Sequence, residues 1–198
     1  MPIEVLLALA GFAFVTSITP GPNNLMLLAS GANFGVRRTV PHMLGVAGGF
    51  TIMVALVGVG LMGVFTAYPI TMTMLRAGSV LYIVWLAWKI ASASKPADGR
   101  GRAEGVPMTF LQAAAFQWVN PKGWAMALAS VATYAPTRSL EAVIVVAVVF
   151  GAVNLPSVGV WAVLGQSLKR VLIGARLRMF NIVMAALLIV SIAPIVFR

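Results

Sequence analysis

Apolar positions in this chain come in long runs, not in the alternation of a strand or the one-sided stripe of a surface helix. The runs fall at about 3–32, 40–65, 70–91, 109–132, 141–167 and 179–197, each closed by charges, Pro or Gly, or small polar residues. A helix of about 20 residues, rising 1.5 Å per residue, crosses the roughly 30 Å hydrocarbon layer. The pattern therefore predicts an all-α integral membrane protein of six transmembrane helices, with 66–69 as the turn between the second and third. Residues 92–108, SASKPADGRGRAEGVPM, depart from it. Rich in Ser, Pro, Gly and charge, they read as a solvated connector that divides one transmembrane domain, 1–198, into halves of three runs, about 1–91 and 109–198.

Composition agrees with this reading and narrows it. Of 198 residues 61% are hydrophobic and 9% charged, and the mean hydropathy is +0.99, which excludes a soluble globular domain. The net charge of +10 suggests a nucleic-acid partner until the bases are placed. Arg37 and Arg38 follow the first run; Lys89, Lys95, Arg100 and Arg102 surround the connector; Lys169, Arg170, Arg176 and Arg178 lie between the fifth and sixth. The other side keeps Arg76, Arg138 and Arg198. Such asymmetry is a topology signal with attraction to anionic lipid headgroups, and it predicts basic loops and connector in the cytoplasm and both termini outside. No nucleic acid is expected. The opening MPIEV has an acid and no base, so the first run is expected to stay as a membrane helix and not to be cleaved as a leader. With no cysteine and one histidine, no disulfide, metal site or cofactor is expected. The runs hold no nucleophile–base pair, paired carboxylates or metal cluster, so an enzyme is not expected either.

Candidate chemistry concentrates where the helices must fail. Residues 19–24, TPGPNN, interrupt the first run. Pro20 and Pro22 lack an N–H and clash with the preceding turn, and within lipid a broken ladder survives only where protein or a watery cavity receives it. The stretch 3–18 spans about 24 Å as a helix, so the break at Thr19, Pro20, Gly21 and Pro22 lies deep in the bilayer. Asn23 and Asn24 are expected to start a second half-helix as its N-cap, with free N–H groups and a positive dipole end that suit a carboxylate. A proline kink used only for packing is the competing reading. Two amides directly after Pro-Gly-Pro favour the binding seat.

The fourth run repeats the device. FLQAAAFQWVNPKGWAMALAS carries Asn120, Pro121, Lys122 and Gly123 in mid-run, and AMALAS at 125–130 echoes LMLLAS at 25–30. Halves of three crossings enter the membrane from opposite sides, so the pattern predicts a 3+3 inverted repeat whose broken helices 1 and 4 meet near the midplane. Lys122 is the one charge deep in a run, where insertion costs roughly 2.5–3.5 kcal/mol at a helix centre. It either snorkels to an interface or faces a polar cavity with an anionic partner. Glu4 and Glu141 sit at the outer ends of their runs and Asp98 and Glu104 in the connector, so no acid lies deep enough to serve as that partner, which leaves the carboxylate of a substrate.

Other residues are candidates of lower rank. His42 is either a proton site, with Lys122, or an interfacial residue without such a role. Asn154 and Pro156 interrupt the fifth run and either line a pathway or bond a neighbouring helix. Gln117 shares a face with Lys122 only approximately. Trp118 and Trp124 flank the second break and are expected to shape the cavity, while Trp85, Trp88 and Trp161 read as interfacial anchors or packing groups. Gly45 and Gly49, continued by Gly58, Gly60 and Gly63, form a small-residue face for close helix packing within or between subunits, the latter as a homo-oligomer.

The motifs TPGPNNLMLLASGANFGVRRTVPHMLGVAGGF, LYIVWLAWKI, QWVNPKGW, NLPSVGVWAVLG and RMFNIVMAALLIV together resemble the LysE/RhtB family of amino-acid exporters over essentially the whole chain. The first motif and LYIVWLAWKI look most similar to the branch that exports cysteine and O-acetylserine. The resemblance implies a six-helix carrier of the bacterial inner membrane, exporting a small amino acid or derivative by alternating access and driven by proton exchange. It assigns substrate binding to Thr19, Pro20, Gly21, Pro22 and Asn23, and to Asn120, Pro121 and Lys122. From the residues alone Asn24 joins that set, and a passive channel or structural membrane subunit stays open as the alternative.

Overall fold

The computed structural model describes residues 1–92, 106–137 and 139–191, without the side chains of Met62 and Arg76. Outside the described residues lie most of the expected connector, with Lys95, Arg100 and Arg102, and also Arg138 and the end of the sixth run with Arg198. All regular structure among the described residues is helical: α1 Ile3–Ile18, α2 Pro22–Phe34, α3 Val36–Gly58, α4 Leu61–Ala67, α5 Pro69–Ser92, α6 Phe110–Gln117, α7 Pro121–Tyr134, α8 Leu140–Leu168 and α9 Ala175–Val190. Three helices, α3, α5 and α8, are long and apolar enough to cross a membrane. The α1–α2 pair qualifies as a fourth span, bent by 59° at the expected break.

Several boundaries fall elsewhere than the hydrophobic pattern implies. The second run stops at Gly58, and Gly60 then takes a left-handed conformation with φ 107°, which a residue with a Cβ adopts only under strain. The short α4 follows, and the chain breaks again at Tyr68 (φ −130°, ψ 77°), within the expected 66–69. The sixth helix begins at Ala175, earlier than 179, because Arg176 and Arg178 occupy its exposed first turn. The fifth run is not interrupted: α8 continues through Asn154 and Pro156. Proline removes one helical bond, and the Ser157 hydroxyl donates to the Val153 carbonyl at 2.8 Å beside it.

Glycines set the closest helix contacts. A Cβ on Gly31 or Gly165 would strike the backbone of Ala162 or Leu28, so α2 and α8 touch main chain to main chain. Gly45 and Gly49 do the same for α3 against Phe110 and Ala114 of α6, and Gly58 seats Val143 of α8. The small-residue face therefore works within the chain. Gly60 serves a turn, and Gly63 has open space around it.

Two buried apolar clusters result. One joins Leu9 and Ala13 of α1 to Phe50, Met53 and Val54 of α3, Ala127 and Val131 of α7, and Val146 and Phe150 of α8. The other joins Met26 and Leu27 of α2 to Val46 of α3, Ile83 and Leu86 of α5, Phe116 of α6, Val158 of α8 and Leu188 of α9. Both breaks, with Asn154, fall between these clusters in chain order. Outward positions such as Leu7, Leu81, Leu111, Val148 and Val190 are exposed, as on a surface meeting lipid.

One end of the bundle gathers the basic turns. The Gln166 side chain of α8 accepts a 2.7 Å bond from the Val36 N–H, and Asn33 of α2 and Asn181 of α9 exchange amide bonds of 2.9 and 3.1 Å. These links bring Arg37 and Arg38 beside the turn with Lys169 and Arg170, and a cavity shared by Phe34 and Lys89 adds the end of α5.

Candidate functional site

A helix that stops within an apolar core leaves its last carbonyls unpaired, and each must find a donor. At the end of α1 side chains from α1, α2, α7 and α8 supply them. The Thr19 hydroxyl donates to the Thr16 carbonyl at 3.0 Å, and Asn24 Nδ2 donates to the carbonyls of Ser17 at 2.8 Å and Thr19 at 2.7 Å. Trp161 Nε1 donates to Ile18 at 3.0 Å. Lys122 Nζ completes the set, donating to the Thr19 carbonyl at 2.7 Å, the Thr19 hydroxyl at 2.9 Å and the Pro20 carbonyl at 3.3 Å. A cation also suits this end of the helix because the dipole is negative there.

Gly21 makes the lysine's approach feasible. Its φ of −177° is extended backbone open to any residue, but a Cβ would lie 2.7 Å from Lys122 Cδ. Space is what the position needs.

The second break is shorter. Trp118, Val119 and Asn120 donate their N–H groups to carbonyls three residues back, which tightens the end of α6. Asn120 then caps α7 through a 3.2 Å bond from the Lys122 N–H, and Pro121 takes the first helical position, where its missing N–H matters least. At the first break the cap is different from expectation. Gly21 holds the N-cap position without a side-chain bond and Pro22 is first in the helix, so Asn23 and Asn24 lie inside the first turn. That placement frees Asn24 to reach back to α1.

The breaks are bonded to each other. Asn23 Nδ2 donates to Gln117 Oε1 at 2.8 Å, and Gln117 Nε2 returns a bond to Asn23 Oδ1 at 3.2 Å. Gln117 therefore belongs at the junction despite its approximate facing to Lys122. Asn154 of α8 joins from a third side, donating to the Ser17 hydroxyl at 3.0 Å, with its own carbonyl oxygen buried and unpartnered among the described residues.

A cavity of about 20 Å³ lies at this meeting point, lined by Gly21, Asn23, Asn24, Asn120, Lys122 and Asn154 together with Thr16, Ser17, Phe50, Gly123, Met126 and Val158. It has room for about one water molecule. Thr19 and Pro20 present their backbone to Lys122 on the exposed side of the break, and Pro22 is buried. Pro156 is exposed on α8 and does not line the cavity. Trp118 and Trp124 also stay outside its lining: their rings pair at 6.0 Å, Trp124 meets Phe65 at 5.4 Å, and Trp124 Nε1 donates to the Trp118 carbonyl. Trp161, read as an anchor or packing group, is a cap for α1. Ser17 and Thr16 went unnoticed in the sequence, although a hydroxyl pair one turn ahead of a mid-span Pro-Gly-Pro is a usable signal.

His42 does not line the cavity at this junction. It is 1% exposed, within α3, and lines a second cavity of about 240 Å³ near the basic end.

Two broken helices joined by amides inside an apolar helical bundle define a multi-pass membrane protein with polar groups gathered where the breaks meet. The LysE type translocator family matches residues 14–193, and the chain belongs to that family. This places it among bacterial translocators and not among enzymes. It is similar to the cysteine/O-acetylserine efflux proteins of Escherichia coli strain K12, Shigella sonnei and Shigella flexneri, each 31% identical over 180 residues that cover 90% of either chain. No solved structure matches it.

Proposed function

We propose that this protein is a secondary transporter of the bacterial inner membrane that exports a small amino acid or derivative, of the cysteine or O-acetylserine kind, by alternating access. The observation that carries the reading is Lys122 Nζ seated on the Thr19 and Pro20 carbonyls. An ammonium there occupies the position a substrate's own ammonium would need, so the two compete for one seat. The substrate carboxylate meets the unbonded start of α2, around Asn23 and Asn24, and accepts a hydrogen bond from the displaced Lys122 amine. Asn120, Gln117 and Asn154 supply the remaining amide contacts.

Six crossings in two inverted halves fit the packing described above. α1 lies on α8 as α6 lies on α3, α2 lies on α8 as α7 lies on α3, and α3 with α8 and α5 with α9 form the pairs across the pseudo-axis. The basic end gathers Arg37, Arg38, Lys89, Lys169 and Arg170, which favours that end in the cytoplasm and the termini outside. Proton exchange enters through Lys122: an ammonium that leaves the carbonyls and releases its proton to one side admits the substrate's ammonium without adding a charge to the core. The passive-channel reading is disfavoured by the centre itself, since room for about one water does not make a pore.

Counterflow in proteoliposomes tests this. Preloaded unlabelled O-acetylserine or cysteine should drive transient accumulation of the labelled compound, and Lys122→Met should abolish it while inserting normally. Simple equilibration without overshoot would establish a channel instead.

A further inference from the structure

The cavity of about 240 Å³ lies apart from the junction of the breaks. It holds about eight water-sized groups, the scale of a small amino acid. Its walls are apolar, from Met26, Phe34, Leu86, Trp88 and Met108, with polar groups at one side. Ser30 and Asn33 are both spoken for, Ser30 bonding Thr39 at 2.9 Å and Asn33 pairing with Asn181. His42 and Lys89 are not. Neither ring nitrogen of His42 has a hydrogen-bond partner among the described residues, although the residue is 1% exposed. The Lys89 ammonium lies 5.3 Å from the centre of the Trp85 ring, a contact that leaves its donors available.

A neutral imidazole always carries one N–H and one bare nitrogen, and a buried pair without partners calls for an explanation. An apolar cavity with no acid among the described residues that line it, an ammonium at one side and an unsatisfied donor–acceptor ring suits a small molecule with a carboxylate at one end and an apolar body.

We propose that this cavity is a second binding site, at the basic end of the bundle, for the carboxylate end of a small amino acid. Lys89 holds the carboxylate, a rotation of the His42 ring brings one of its nitrogens onto the ligand, and Met26, Leu86 and Met108 cover the side chain. The site stands independently of the exchange at Lys122. Only its role as the waiting position ahead of the central site rests on the transport reading.

His42 is the only histidine in the chain, so its ring is a unique reporter. Protein labelled with 15N in histidine, with any affinity tag removed, is placed in lipid nanodiscs and titrated with O-acetylserine and, separately, cysteine. The expected result is a saturable shift of the imidazole nitrogen signals that persists in Lys122→Met and weakens at least tenfold in affinity in Lys89→Met. Lys89→Arg, which keeps the charge, should retain it. Absence of any shift at tens of millimolar ligand overturns the site. A shift lost in Lys122→Met but unchanged in Lys89→Met also overturns it, since His42 would then be sensing the central site from a distance. Shifts in Lys122→Met protein that no longer transports separate this site from the transport mechanism. Contacts from the chain's own connector protons to the ring, undisturbed by ligand, would identify the connector as the occupant and reject a ligand site.

Discussion

Lys122 Nζ lies 2.7 Å from the carbonyl oxygen of Thr19, a residue 103 positions earlier in the chain, and this bond joins the start of α7 to the end of α1. It gives a half-buried cation and the carbonyls at the end of α1 to each other. The end of α1 takes a donor from α7, and the Asn23–Gln117 amide pair ties the second break to the first.

Lys122→Met removes three donated bonds at once and leaves two carbonyls without that donor. Substrate efflux from cells expressing the variant should fall at least tenfold. Stability should fall by about 1 kcal/mol, the net worth of a hydrogen bond, because Asn24 still donates to the Thr19 carbonyl and the Lys122 bonds are exposed. Thermal unfolding in detergent and labelled efflux check the two effects separately. Efflux at the parent level would remove the lysine from the mechanism.

Asn24→Leu keeps the volume of the side chain approximately but takes away the donor to Ser17 and Thr19. The end of α1 should loosen, with faster hydrogen exchange at 16–20 and a loss of about 1–3 kcal/mol. Asn24→Asp should do no better, since a carboxylate cannot donate to carbonyls.

Gly21→Ala places a methyl group against Lys122 Cδ without straining an extended backbone. The lysine should be pushed from its seat, so efflux should drop severalfold and the melting temperature should fall, by no more than in Lys122→Met, because the same donated bonds are disturbed. Coupling this change with Lys122→Met in a double-mutant cycle should give strongly non-additive efflux, because both act on one contact.

Gly165→Ala introduces a methyl that meets the Leu28 backbone, where nothing flexible can yield. The α2–α8 contact should open and the folded yield in membranes should collapse. Gly63→Ala, at a position with nothing within 4 Å, is the control and should fold as the parent does.

Much of this architecture is legible before any coordinates. Runs of apolar residues announce α3, α5 and α8, and Pro20 with Pro22 announces the bend between α1 and α2, because proline chemistry is local. Lys122 stands out as a charge that needs company. Its partner does not: Thr19 offers a backbone carbonyl, and backbone looks the same at every position in a sequence. For the same reason Trp161 reads as an anchor while its indole caps Ile18. Pro156 misleads in the opposite direction, since surrounding packing carries α8 through a residue that would end an isolated helix. The Asn23–Gln117 pair is hidden because complementarity between amides 94 residues apart leaves no periodic trace.

The split of the apolar core has a mechanical consequence. α1 is rooted in one cluster and α2 in the other, while α3 and α8 run unbroken through both. The short segment 19–21 is the non-helical link between those two roots, mounted beside two stiff axles. In the alternating access proposed above, either half of this severed rod would swing against those axles only once the bonds from both Asn24 and Lys122 to the end of α1 let go.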